Sequence, residues 1–156
     1  MSDQDQADTL RIAWAESDKD IQACLALMRQ WWPHLERQGD LVARVRSLQQ
    51  DGYRLAAAWQ DDRIVCCAGY RIAENLLRGR YLHVDELVTA QDVRSTGIGQ
   101  RLLKALIEEA RNLECQGVVL ECGLGNGRAH AFYFREGLRI SAFRFAVDFF
   151  PVFGGE

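Results

Sequence analysis

The chain has 156 residues, of which 48% are hydrophobic and 26% charged, and its formal net charge at pH 7 is −3. This length suits one domain, and the composition excludes a disordered chain, a collagen-like chain and a coiled coil. The net negative charge lacks the overall basic character typical of nucleic-acid binders, so we expect no nucleic-acid partner.

The first half of the chain predicts a strand, two helices and a hairpin. Residues 1–9 are polar and acidic and predict a flexible tail before a strand at 10–15. Ser17 and Asp20 have the spacing of a helix-capping box, and apolar residues then recur at helical spacing until Pro33 ends the helix. Gly39 and Asp40 open a second helix, which runs to about residue 51. Strands at 53–59 and 64–72 flank a polar turn and predict a β-hairpin.

The second half alternates strands with helices. A strand at 80–89, a glycine-bearing turn and a strongly amphipathic helix from Ile98 come first. A strand at 117–123 and a short helix at 128–136 follow, and Gly137 suits the left-handed position that ends a helix. We expect a last strand at 138–147 and an apolar C-terminal tail at 149–156. The order β-α-α-β-β-β-α-β-α-β predicts one α/β (α+β) domain over residues 10–148, with a central mixed, mostly antiparallel sheet flanked by helices.

The cysteines and the apolar runs bear on location. The five cysteines are odd in number and show no CxxC or Cys/His ligand spacing, so we expect reduced thiols and no metal site. The N-terminus has no signal-peptide pattern, and no apolar run approaches the ~20 residues of a membrane helix. The sequence therefore predicts a cytoplasmic protein with no membrane partner.

Residues 85–89 and 94–99 form the window richest in chemistry. The pattern is a strand, a tight turn and a helix start, where free backbone N–H groups bind phosphates. Gly97 and Gly99 remove side chains that would block this approach, and Arg94 adds a cation. Because residue 102 is leucine, the spacing is neither that of the dinucleotide fingerprint nor that of a P-loop. The alternative is an ordinary glycine-containing loop.

Two motifs in this half resemble the GNAT superfamily of N-acetyltransferases. Arg94-Ser95-Thr96-Gly97-Ile98-Gly99 is similar to its R-x-x-G-x-G/A pyrophosphate loop, and residues 126–138 to its second coenzyme segment, N-x-x-A-x-x-F-Y-x-x-x-G-F. The helix and strand between the motifs and the element order over residues 10–147 also fit. The resemblance implies a GNAT-like domain with acetyl-CoA as acetyl donor. The coenzyme half is also similar to aminoalkylphosphonate acetyltransferases, whereas the N-terminal half shows no acceptor motif.

The resemblance implies a role for each matching position. The pantetheine arm would lie along β-strand residues Leu87, Val88 and Thr89, with the Val88 N–H polarising the acetyl carbonyl. The pyrophosphate would bind to Arg94, Ser95, Thr96, Gly97, Ile98 and Gly99, and the second segment would add Asn126, Ala129 and Phe132. Tyr133 would be the general acid that protonates the departing thiolate, because a phenol is protonated at neutral pH.

The general base is left open by the sequence. Glu86 lies two residues before Val88 and matches an acidic position that serves as base in some family members. Asp85, expected on the opposite face, and a chain of water molecules are the alternatives. His83 is expected to alternate away from Glu86 as a surface residue. We interpret His130 as a packing or polar helix residue, and Cys122 has no paired histidine to activate it. His34 lies in the connection between the first two helices, which the resemblance places over the acceptor site, but the tryptophans before it are more typical of a core than of a ligand cage.

The sequence thus predicts an acyltransferase that moves an acetyl group directly from acetyl-CoA to a primary amine, most simply of a small molecule. One alternative is a sensor that binds acyl-CoA without turnover, and another is an acetyltransferase for protein amines. The apolar residues Phe149, Phe150, Val152 and Phe153 predict a homodimer formed through the C-terminal strand or tail. The alternative is a tail that folds back over the core of its own chain. The acceptor itself cannot be identified from the sequence.

Overall fold

The computed structural model describes residues 10–150. The tail predicted at 1–9, and the part of the apolar C-terminal tail at 151–156, lie outside the described residues. The helices and strands occur in the order β1 (Leu10–Trp14), α1 (Asp18–Trp31), a 3₁₀ helix (Pro33–Arg37), α2 (Leu41–Gln50), β2 (Arg54–Gln60), β3 (Arg63–Asn75), β4 (Gly79–Thr89), a 3₁₀ helix (Gln91–Val93), α3 (Ile98–Asn112), β5 (Val118–Leu120) and α4 (Gly127–Arg135).

The helices begin where their capping residues predict. The Ser17 side chain accepts the Asp20 N–H before α1, and the Asp40 carboxylate accepts the Ala43 N–H at 3.0 Å before α2. α1 stops at the residues before Pro33, as expected. The predicted helices are therefore confirmed, apart from shifts of a few residues at their ends.

The five strands form one mixed sheet in the order β1-β2-β3-β4-β5. Strands β1 to β4 pair antiparallel, and β5 pairs parallel to β4, so the predicted mostly antiparallel sheet is confirmed. Each face of the sheet carries its own core. One core joins α1 and α2 to residues such as Ala57, Cys67 and Val88, and the other joins α3 to residues such as Ala58 and Leu82.

The last predicted strand, at 138–147, is absent from the structure, where residues 138–150 form neither helix nor strand. The chain divides into two compact units, and the second begins at Glu121. A strand needs a neighbour for its backbone groups, and the described part of the second unit contains α4 but no strand. The alternating apolar residues of this segment therefore predicted a strand without supplying its partner. Among residues 10–150, no helix has both the length and the apolarity to cross a membrane.

Candidate active site

A bulge in β4 decides which way its acidic side chains point. The β3–β4 register shifts here and leaves Asp85 as an extra residue between Val84 and Glu86. Val84 accordingly packs in the core that contains α3, whereas Val88 packs in the core that contains α1. Strict alternation would place both valines on one face of the sheet. The bulge thus turns the following residues, Glu86 included, towards the face covered by α1 and α2.

The bulge also brings Asp85 and His83 into the cluster around Glu86. His83 Nδ1 and Asp85 Oδ1 lie 2.7 Å apart, and the Arg71 Nε donates to Asp85 Oδ2 at 2.8 Å. The Arg71 guanidinium lies 5.7 Å from the ring centre of Tyr53, whose hydroxyl contacts Glu86. The expectation that Asp85 and His83 lie on the opposite face from Glu86 is therefore wrong, because the extra residue interrupts the alternation. Both Asp85 oxygens have partners, which makes Asp85 the weaker candidate for a base.

Glu86 has a different environment. The Tyr53 hydroxyl donates to its Oε2 at 2.8 Å, and among the described residues its Oε1 has no hydrogen-bond partner. Burial raises the pKa of the Glu86 carboxyl above its usual range, and the hydrogen bond from Tyr53 opposes part of this rise. Tyr53 was missed in the sequence, where an aromatic residue at the start of a strand indicates only core packing.

The backbone of β4 beyond the bulge has one open edge. Strand β5 pairs with β4 only as far as Val84, and within residues 10–120 no strand covers that edge from Asp85 to Thr89. On the other edge, the Ala90 N–H donates to the Val65 carbonyl of the β3 side at 2.8 Å.

This last bond fixes which amides face the open edge. Because hydrogen-bonded pairs alternate along antiparallel strands, the Val88 N–H points towards Cys67 on β3. The backbone groups of Leu87 and Thr89 point to the open edge instead. Of the three residues expected along the pantetheine arm, Leu87 and Thr89 therefore have N–H groups that face the open edge, whereas the Val88 N–H faces β3.

The loop at residues 94–99 has the geometry of an anion cradle. Ser95 and Gly97 adopt left-handed backbone angles, with φ of 64° and 84°. Gly97 precedes α3 and has no side chain to cap it, so the first N–H groups of the helix donate to no side chain at the N-cap position. The Thr96 hydroxyl donates to the Val93 carbonyl at 2.6 Å, and buried Ile98 anchors the helix start. A diphosphate fits such an array of donors.

Trp31, at the end of α1, contacts both the end of β4 and the loop at residues 94–99. Its Nε1–H donates to the Thr89 carbonyl at 3.0 Å, and the Arg94 guanidinium lies 4.4 Å from its ring centre. In the sequence, Trp31 and Trp32 at a helix end favour core residues over a ligand cage. No sequence signal connects Trp31 with the loop, because the contact depends on how α1 crosses the sheet.

The second unit holds the residues that the resemblance assigns to the second coenzyme segment. Asn126 caps α4 by accepting the Ala129 N–H at 3.2 Å through its side-chain oxygen. The rings of Phe132 and Tyr133 lie 5.2 Å apart at 57°. Gly137 ends the helix with φ of 85°, which confirms the left-handed position expected there. The structure thus groups Glu86 and residues 87–99 in one unit and residues 126–133 in the other.

The surroundings of His130 and Cys122 favour a structural role for both residues. The His130 Nε2 lies 2.9 Å from the Gly123 carbonyl, which fits the structural role expected from the sequence. Burial raises the pKa of the Cys122 thiol, which disfavours the reactive thiolate. Within residues 10–150, no group of three or more histidine, cysteine or acidic side chains is placed to hold a metal ion.

Comparison with known proteins gives one consistent result. The model of the acetyltransferase (GNAT) family matches residues 7–137. An uncharacterized N-acetyltransferase of Bacillus subtilis, YhdJ, is 28% identical over 125 residues, which cover 80% of this chain and 83% of that protein. An acetyltransferase structure from Trypanosoma brucei covers 89% of this chain and 99% of its own, with a TM-score of 0.72 and 22% identity.

A ligand-bound structure also has this fold. The aminoglycoside N-acetyltransferase AAC(6')-Iy, solved in complex with CoA, has a TM-score of 0.76 at 15% identity and covers 89% of this chain and 93% of its own. The family match spans most of the chain, including the bulged strand and the glycine loop. The chain therefore belongs to the GNAT family of acetyltransferases, which are acyltransferases that use acetyl-CoA.

Proposed function

We propose that the protein transfers the acetyl group of acetyl-CoA directly to a primary amine of a small molecule, with Glu86 as general base. The observation that carries this proposal is the placement of Glu86. Its carboxylate lies beside the open edge of β4, with Oε2 held by Tyr53 and Oε1 without a partner among the described residues. This arrangement leaves one oxygen to take a proton next to a backbone that can hold a thioester.

The coenzyme supplies an activated acetyl group, and the residues of the chain bind and orient it. The N–H groups at the start of α3 and the Arg94 guanidinium neutralise the diphosphate. The Leu87 and Thr89 N–H groups on the open edge are the donors for the pantetheine arm and the acetyl carbonyl. Donors that already point to this position stabilise the oxyanion without reorganising.

The acidity of Glu86 suits the acceptor. An amine is mostly protonated at neutral pH and must lose a proton before it can attack. A carboxylate whose pKa is raised by burial is a stronger base than an exposed one. Glu86 is therefore better matched to this proton transfer than an ordinary surface glutamate.

Tyr133 is proposed as the general acid for the thiolate, on the basis of its position in the second coenzyme segment, with Asn126, Ala129 and Phe132 as contacts to the coenzyme. The small-molecule acceptor is supported by the similarity in fold to AAC(6')-Iy, an aminoglycoside N-acetyltransferase. The five free thiols support a reducing, cytoplasmic location. The apolar residues at the C-terminus support a homodimer.

A thiol-release assay over a panel of amines tests the proposal. We expect CoA release that depends on a small amine and is lost in Glu86→Gln, while Glu108→Gln, an exposed glutamate on α3, retains wild-type turnover. Coenzyme binding without turnover across the whole panel would favour the sensor. Acetylation of peptide amines alone would favour the protein acetyltransferase.

A further inference from the structure

Tyr53, just before β2, and Gly69 of the neighbouring strand β3 both lie at the carboxylate of Glu86. Tyr53 has only 4% of its surface exposed, and its hydroxyl reaches across β3 to Glu86 Oε2 at 2.8 Å. Gly69 of β3 lies between them and pairs with Glu86 in the sheet. A side chain at this position would overlap both the Tyr53 hydroxyl and Glu86 Oε2. The hydrogen bond therefore exists only because residue 69 lacks a Cβ.

We propose that Tyr53 is a positioning residue for Glu86: its hydroxyl holds Oε2, so that Oε1 is the oxygen presented to the proton of the acceptor amine, and Gly69 provides the space for this contact. The inference rests on the proposed role of Glu86 as base. It adds a function for two residues that lie outside both coenzyme motifs.

Tyr53 is suited to this task because it remains a donor. Burial and the nearby Glu86 raise the pKa of its phenol above the ordinary value, so that the hydroxyl stays protonated over the working pH range. A hydrogen bond to a carboxylate stabilises its charged form. Tyr53 thus orients Glu86 and limits the rise in pKa that burial causes, so that the carboxylate remains available as a base.

Other charged and titratable groups lie on the elements around Glu86 and must remain constant in a test. Strand β4 contributes His83 and Asp85, and β3 contributes Arg71 and the Cys67 thiol. Helix α1, which packs on this face, contributes Cys24, whose carbonyl accepts from the Cys67 thiol at 3.8 Å. It also carries Arg29, whose buried Nε has no hydrogen-bond partner among the described residues.

The test is Tyr53→Phe, which removes only the hydroxyl. NMR titration of ¹³C-labelled glutamate carboxyls, with Glu86 assigned by the loss of its signal in Glu86→Gln, measures the pKa directly in the full chain. We expect the Glu86 pKa to rise by about one pH unit in Tyr53→Phe. The acid limb of the pH profile of kcat/KM should also move to higher pH. In the same variant, kcat should fall at neutral pH, whereas KM for acetyl-CoA should stay within twofold of the wild-type value.

Tyr70→Phe is the matched control. Tyr70 is also buried and accepts a hydrogen bond from the Trp14 Nε1–H at 2.7 Å, but it packs in the core on the α3 face of the sheet. Tyr70→Phe should lower the free energy of unfolding by a similar amount without changing the pKa of Glu86. An unchanged Glu86 pKa in Tyr53→Phe, or an equal change in Tyr70→Phe, would overturn the proposal.

Replacing Tyr53 with 3-fluorotyrosine tests the same contact without disturbing the packing. A more acidic phenol is a stronger donor, so the Glu86 pKa should fall, and an unchanged or raised value would contradict the proposal. Full activity of Glu86→Gln would instead exclude Glu86 as the base. In that case, the titrations would still show whether Tyr53 controls the carboxylate.

Discussion

Gly97 is the residue at which backbone geometry and ligand binding meet most directly. It has φ of 84° at the start of α3, and an added Cβ would find nothing nearer than 3.9 Å within the protein. The space next to it is open, as the proposed diphosphate site requires.

Gly97→Val should weaken coenzyme binding by at least tenfold, because the side chain strains the backbone and enters the phosphate site. Isothermal titration calorimetry with acetyl-CoA measures this. Gly52→Val is the control, since Gly52 has φ of 91° and open space around it but lies outside the loop. Unchanged affinity in Gly97→Val would remove the loop from the coenzyme site.

Tyr133→Phe should lower kcat while coenzyme binding holds. General acid catalysis is worth ~10²–10⁴ in rate, and the change removes only the hydroxyl. Steady-state kinetics with an amine for which chemistry limits the rate measures the effect. Tyr81→Phe on β4 serves as a control. A wild-type kcat would exclude Tyr133 as the acid.

Glu86 should also make stability depend on pH in a predictable direction. Because burial raises its pKa in the folded state, its contribution to the free energy of unfolding is fully present below the unfolded value of about 4.3 and is lost as the pH rises through the folded value. Urea unfolding between pH 4 and 8 should therefore show a smaller decline in Glu86→Gln than in the wild type. Parallel curves would contradict the raised pKa.

At the scale of elements, the helix caps are the features that the sequence predicts best. Ser17, Asp40, Gly97 and Gly137 act through contacts with residues three or four positions away, so a short stretch of sequence contains the whole cause. The bulge at Asp85 and the reach of Tyr53 depend on neighbouring strands, and local patterns do not encode them. This is why Glu86 was predicted on its strand while its partners, and the faces of His83 and Asp85, were not.

Removing the cap of α2 should cost measurable stability. Asp40→Ala deletes the acceptor for the Ala43 N–H and should lower the free energy of unfolding by about 1 kcal/mol. Urea denaturation measures this loss. Asp40→Asn retains an acceptor oxygen and should stay close to the wild type, so equal losses in both variants would argue against the capping bond.

At the scale of the whole molecule, the order of helices and strands and the two motifs identify the family, whereas the end of the chain does not follow the prediction. The segment 138–147 has the alternation of a strand, but the described residues of its own unit include no strand to pair with it. Alternation reports which residues are apolar, but pairing depends on the rest of the sheet. The proposed dimer concerns this same end of the chain.

A chain truncated after Asp148 tests the dimer. Sedimentation velocity at micromolar concentration should show a dimer for the full chain and a monomer for the truncated one, because truncation removes the apolar residues from Phe149 onwards. A monomeric full chain would exclude the dimer. A truncated chain that remains dimeric would place the interface elsewhere.

The position of Trp31 has a thermodynamic consequence. Its indole bonds to the carbonyl that ends β4, and its ring lies against Arg94 of the glycine loop, while its helix leads into the connection towards α2. An acceptor that moves the end of α1 would alter the affinity for the donor. Because such coupling is reciprocal, acetyl-CoA would then change the affinity for the acceptor by the same factor. The Trp31 side chain would thus couple the binding affinities of acetyl-CoA and the acceptor before any bond is formed.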